Sequence, residues 1–118
     1  MAKHNDTGSH GEKLALEWIS GKGYTVLHQN WRHYHWEVDI IAFRENTLHF
    51  IEIKTRRTQS FGQPEDGVSR KKIINLINAA EEYLIQNHGW KRIQFDILSI
   101  TLLKDQEPRY FFIEDVYL

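Results

Sequence analysis

Apolar residues first recur at helical spacing near the N-terminus, where Leu14, Ala15, Trp18 and Ile19 share one side of a segment. This pattern predicts a helix that starts near Ser9 and ends at Gly21-Lys22-Gly23. Ser9-His10-Gly11-Glu12 has the spacing of a capping box at its start. Tyr24 to His28 reads as a short strand and Asn30 to Trp36 as a loop of aromatic and basic residues. Glu37 to Arg44 and Thr47 to Lys54 are two strong strands joined across Glu45-Asn46. The Gly- and Pro-punctuated stretch 60–67 leads to a second helix from about Ser69 to Gln86. Ile73, Leu76, Ile77, Ala80, Tyr83 and Leu84 form its core-facing stripe, and Asn87-His88-Gly89 stops it. Ile93 to Thr101 and Tyr110 to Tyr117 complete the set. The order α-β-β-β-α-β-β predicts an α/β fold, a mixed sheet flanked by helices.

The two central strands carry the chemistry. A loop symmetric about Glu45 and Asn46 sets Phe43 opposite Leu48, Ile41 opposite Phe50, Asp39 opposite Glu52, and Glu37 opposite Lys54. Alternation puts these four pairs on one face. Ala42 with His49, Ile40 with Ile51, and Val38 with Ile53 then form an apolar second face. Directly opposed residues bring their Cβ atoms to about 4.5–5.5 Å, where like charges repel. Asp39 and Glu52 also sit inside apolar runs, so burial adds to the cost of ionising both. A divalent cation between them turns that cost into a gain, and Mg²⁺ commonly takes one or two carboxylates plus water and phosphate. Lys54, two residues past Glu52, points to the same side and can orient an attacking water or balance charge on a phosphate. The rival reading is a structural ion cluster at the sheet end, with Glu37 as the partner of Lys54. Glu12 either completes the capping box or turns toward the sheet. An odd-length loop would separate Asp39 from Glu52.

The chain has 118 residues, a length suited to one compact domain, 1–118, with 1–7 expected to fray. It has no cysteine, which excludes disulfides and thiolate metal sites and is compatible with a cytoplasmic location. The N-terminal residues lack the apolar core of a signal peptide, and no run of about 20 apolar residues occurs to cross a bilayer. The net charge is −1, unlike that of a dedicated nucleic-acid binder. Its distribution is uneven: Lys54, Arg56, Arg57, Arg70, Lys71 and Lys72 stand against only Glu65 and Asp66. Such a stretch can serve a polyanion while the whole remains neutral.

Several blocks resemble the YraN-like proteins. They are Gly8-Ser9-His10-Gly11-Glu12, Asn30-Trp31-Arg32, Glu37-Val38-Asp39-Ile40-Ile41-Ala42 and Phe50-Ile51-Glu52-Ile53-Lys54-Thr55-Arg56. Phe61-Gly62, the lysines opening the second helix and Gln94-Phe95-Asp96 continue the likeness over nearly the whole chain. That family is placed in the restriction endonuclease-like PD-(D/E)xK superfamily and is similar to archaeal Holliday junction resolvases. The resemblance implies a three-layer α/β/α fold and a Mg²⁺-dependent phosphodiester hydrolase, with Mn²⁺ as an alternative ion. Its motif positions fall on Glu12, Asp39, Glu52 and Lys54, with the carbonyl of Ile53 as a further metal ligand. DNA, including branched or flapped DNA, is the implied substrate, and a homodimer is implied by analogy with the resolvases. One departure is Trp36, where the family usually has glycine; it either narrows access to the site or offers a stacking surface.

Around this centre, Arg70, Lys71 and Lys72 occupy the first turn of the second helix, where cations oppose the helix dipole but backbone N–H groups attract anions. With Arg56, Arg57, Arg32 and Tyr34 they are the candidate nucleic-acid contacts. Trp31 is a core anchor. His33 and His35 lack a third ligand nearby in sequence, and Asp96, Glu114 and Asp115 read as surface or strand-end charges. A metal-dependent DNA endonuclease is the expectation. Its rivals are a non-catalytic nucleic-acid-binding module of the same fold and a protein-interaction subunit that uses the aromatic loop.

Overall fold

A computed structural model of the chain describes residues 6–57 and 70–116. The loop over 60–67 with Phe61-Gly62, Ser69 at the head of the second helix, residues 1–5 of the stretch 1–7 and Tyr117 lie outside the described residues, while residues 6 and 7 belong to the first helix rather than fraying. Seven elements follow in the expected order: α1 (Asp6–Gly21), β1 (Thr25–His33), β2 (Trp36–Arg44), β3 (Thr47–Arg56), α2 (Arg70–Gln86), β4 (Ile93–Thr101) and β5 (Arg109–Ile113). The strands form one sheet in sequence order. Only β3 and β4 run parallel, the one connection long enough to hold a helix.

Each face of the sheet buries its own core. On one side Ala15 and Ile19 of α1 meet Ile40, Ala42, Ile51, Leu98 and Ile100. On the other, Leu76, Ala79, Ala80 and Tyr83 of α2 meet Ile41, Leu48 and Phe50. The result is the expected three-layer α/β/α arrangement. Trp31 anchors the second core, edge-on to Tyr83 at 5.3 Å.

The turn between β2 and β3 is the symmetric one. Glu45 and Asn46 have φ of 50° and 63°, both left-handed as a type I′ hairpin requires. The register follows: Phe43 opposes Leu48, Ile41 opposes Phe50, and Ile40 opposes Ile51.

Three boundaries differ from expectation. Helix α1 begins at Asp6, so Ser9 lies inside it and Ser9-His10-Gly11-Glu12 is not its cap. Packing of an amphipathic face outweighs a local capping signal. Strand β1 runs on through the expected loop to His33, because Trp31 pairs with Val38 and packs inward. Strand β5 ends at Ile113, and beyond it Asp115, at φ 56°, donates its N–H to Asp96 rather than to a ladder.

Candidate active site

The site arises where β2 and β3 stop pairing. Their ladder runs from Arg44–Thr47 to Ile40–Ile51 and ends one step short of Asp39 and Glu52. Leu48 N–H bonds to Arg92 beside β4, so alternation turns the N–H groups of Ile51 and Ile53 toward β2. At Ile53 the carboxylate of Asp39 takes the bond, with N–H to Oδ2 at 2.8 Å. The carbonyl of Ile53 leaves the strand on the same edge.

Strand β2 also breaks its alternation here. Val38 packs with Ile41 and Phe50 on the α2 side, not with Ile40 and Ile53 on the other face. Opposite the break, Asn30 of β1 has φ 51°, a left-handed conformation that asparagine tolerates better than most residues. The left-handed Asn30 and the lost alternation of β2 thus coincide at Asp39.

A cavity of about 310 Å³ opens at this point, lined by Glu12, Glu37, Asp39, Glu52, Ile53 and Thr55 from one direction and Lys72 and Asn75 of α2 from the other. His35 completes the lining. Glu12 thus faces the sheet. Its neighbour Gly11 is where α1 touches β3, since a Cβ there would collide with the hydroxyl of Thr55. The missing side chain lets the helix approach closely enough to bring Glu12 in.

Electrostatically the cavity is acid-rich. Burial pushes Glu52 up to about 8, and the charge of Asp39 adds to the effect. Burial likewise pushes Asp39 up to about 6, against the stabilising bond from Ile53 and with help from Glu37 and Glu12. Lys72 opposes both shifts, and its Nζ lies 3.8 Å from Glu52 Oε2.

The other expected residues divide. Lys54 follows Glu52 on the same face of β3, beside Ser99 of β4, but does not line the cavity. Glu37 does not pair with Lys54; it accepts from Arg32 Nε at 3.3 Å, because β1 runs alongside it. Arg56 and Arg57 continue β3 past the site, while Arg70 and Lys71 are exposed on α2. Tyr34 projects from the β1–β2 turn at 83% exposure. Trp36 neither narrows the cavity nor presents itself for stacking there; it packs against the α2-side core. His33 faces Glu82 at 3.8 Å, away from His35's position on the cavity lining.

Sequence reasoning missed one buried pair outright. Asp96, read as a surface or strand-end charge, is fully buried, and its Oδ2 lies 2.7 Å from His49 Nδ1. Its Oδ1 accepts from Gln94 Nε2 and Asp115 N, both at 2.9 Å. The signal was available: His49 interrupts an apolar run, and a charged partner on a neighbouring strand was its natural complement.

The molecule is thus a mixed α/β domain with helices on both faces and two partly buried carboxylates meeting a lysine at the splayed end of a hairpin. Comparison with known proteins gives it a family. The sequence profile of the Uncharacterised protein family UPF0102 matches residues 11–100. UPF0102 proteins of Flavobacterium psychrophilum and Christiangramia forsetii are 45% and 44% identical to it over 100 residues, 85% of this chain and 84% of each relative. One from Bacteroides thetaiotaomicron is 39% identical over 85% of this chain and 83% of its own. The chain belongs to this family, the YraN-like proteins that its motifs resemble. Among the described residues no helix is long and apolar enough to cross a membrane.

Proposed function

We propose that the protein is a metal-dependent nuclease that hydrolyses phosphodiester bonds in DNA. The observation that carries this reading is the pair Asp39 and Glu52, two partly buried acids facing one cavity with Lys72 of α2 beside them. Two carboxyls whose burial and mutual repulsion both oppose ionisation are costly to keep together, and a divalent ion removes the cost.

The donor set fits Mg²⁺ or Mn²⁺. Among the described residues no three His, Asp or Glu side chains converge at metal-ligand spacing, so a cage built wholly of side chains is not the design. Asp39, Glu52 and the carbonyl of Ile53 would hold an ion that keeps several waters, as Mg²⁺ prefers. Such an ion supplies Lewis acidity toward a phosphate and lowers the pKa of water. Asp39, whose Oδ2 accepts the Ile53 N–H, lines the cavity and has a second oxygen to offer. Glu12 would order the water shell from the α1 side. In the reaction a water oxygen would bond to phosphorus and give up a proton to solvent, the bridging P–O bond would break with its electron pair, and the leaving oxygen would gain a proton from solvent. A nearby ammonium steadies the charge on the nonbridging oxygens.

Support for a nucleic-acid substrate comes from the cations around the cavity: Arg56 and Arg57 beyond the end of the site, and Arg70 and Lys71 on the exposed start of α2. Contacts of this kind position a duplex without reading its sequence. Incubation with linear, flapped and four-way DNA in Mg²⁺, Mn²⁺ or EDTA tests the reading. Cleavage should require the metal and disappear in Glu52→Gln. DNA binding that is salt-sensitive, indifferent to metal and intact in Asp39→Asn would favour a non-catalytic module instead. Absence of DNA affinity at low salt would favour a protein-interaction subunit.

A further inference from the structure

We infer that Tyr34, at the tip of the β1–β2 hairpin, is a stacking platform for an unpaired base of the substrate beside the cavity. The inference rests on the nuclease reading and names the substrate that its site takes: duplex carrying a single-stranded segment rather than continuous duplex.

Three observations carry it. The first is exposure without a part in packing. At 83% Tyr34 is the most exposed large apolar or aromatic side chain among the described residues, and it belongs to neither core. The second is its backbone. His33 pairs with Trp36, which leaves a two-residue turn of Tyr34 and His35, and of these two Tyr34 alone has a positive φ, 58°. That is the pattern of a type II′ turn, whose first position normally holds glycine. A tyrosine there is strained, and strain of this kind gathers where a protein binds or reacts. Folding alone would favour glycine, so the position is occupied for the ring.

The third is the ground on which the ring stands. His33 meets Tyr34 at 4.5 Å between ring centres and lies against Trp36 at 6.0 Å, with Trp31 against His33 in turn. His33 also faces Glu82 of α2 at 3.8 Å. The tip is thereby fixed to the body of the protein, and a ring already in place loses little freedom when it binds.

The next residue gives the location. His35 lines the cavity that holds Asp39 and Glu52, so Tyr34 stands one residue from the proposed cleavage centre. Arg32, exposed on the strand leading to the tip, supplies a cation for a flanking phosphate; its surface pairing with Glu37 is weak enough to exchange. Inside a continuous duplex both faces of a base are covered by its neighbours. A base in a single strand can offer a face to an aromatic ring, whatever its identity.

The test measures DNA affinity by fluorescence anisotropy in Ca²⁺, which replaces Mg²⁺ so that binding is read without cleavage. Wild type, Tyr34→Ala and Tyr34→Phe are compared on a blunt duplex, the same duplex with a single-stranded extension, and that extension built of abasic sites. Wild type should bind the extended duplex more tightly than the blunt one. Tyr34→Ala should weaken binding of the extended duplex roughly five- to hundredfold and that of the blunt duplex less than about twofold. Tyr34→Phe should stay within about threefold of wild type, since the ring remains. On the abasic extension wild type and Tyr34→Ala should bind alike, because the phosphates are kept and the bases are gone. Thermal melts within a few degrees of each other verify that the variants fold. Equal affinity of wild type for blunt and extended duplex overturns the inference, as does equal binding of the extended duplex by wild type and Tyr34→Ala. A loss in Tyr34→Ala that persists on the abasic extension also overturns it. Each of these results leaves the nuclease reading to metal-dependent cleavage and its loss in Glu52→Gln. A wild-type protein that binds none of these DNAs ends the inference, and one that also cuts none ends both.

Discussion

Strand β3 holds an ionisable pair near each of its ends, and the two are handled in opposite ways. Near the turn, Asp96 is enclosed with His49, Gln94 and the N–H of Asp115, so both of its oxygens are satisfied within the protein. Near the open end, Glu52 faces another carboxylate and has a lysine at a long 3.8 Å. The first pair is fully enclosed and the second only partly buried, and their partners differ as well. The first arrangement ties β3, β4 and the segment after β5 together. The second leaves negative charge to be completed from outside, which is the property expected of a binding centre rather than a brace.

Substitutions can break this contrast. The largest effect is expected at the brace. Asp96→Ala should cost about 3–5 kcal/mol, read as a lower denaturant midpoint, because it leaves His49 and the N–H of Asp115 without their acceptor. Replacing His49 and Asp96 together by leucine should restore much of that loss, and a double mutant as unstable as Asp96→Ala would argue against a paired role.

At the open end the sign reverses. Asp39 and Glu52 hold protons in the folded state at pH values where the unfolded chain has released them. Stability from this pair is therefore greatest near pH 4 and falls as pH rises toward 8 in metal-free protein. Glu52→Gln should raise metal-free stability at pH 8 by roughly 1–3 kcal/mol and do little at pH 4. Thermal melts at both pH values with EDTA measure this, and a loss of stability at pH 8 would contradict the buried-acid account. Added Mn²⁺ should stabilise wild type but not the variant.

Between these lies the contact that delivers Glu12. Gly11→Ala forces a methyl into Thr55 and should cost about 1–3 kcal/mol. The cost should shrink by more than half in a Thr55→Ala background, a coupling that a helix-propensity effect would not show. The smallest effect belongs to Tyr34→Ala, where exposure predicts a stability change within about 0.5 kcal/mol.

Much of this was legible beforehand. Apolar periodicity located all seven elements, and Glu45-Asn46 set the register that brings Ile40 to Ile51 and Asp39 toward Glu52. What the pattern obscured were departures from regularity. Asn30 hid the continuity of β1, and strict alternation put Val38 on the wrong face. Asp96 looked exposed because its partners come from β3, from β4 itself and from the residue that follows β5.

The linear order of residues was enough to specify which side chains share a strand, a face and a turn, because those relations depend on backbone periods of 2 and 3.6. It placed the acids of the site together for that reason. Which lysine meets them was decided only by tertiary structure, since α2 is laid across the sheet by its buried Leu76, Ala79, Ala80 and Tyr83. No local period connects Lys72 to Glu52; packing does.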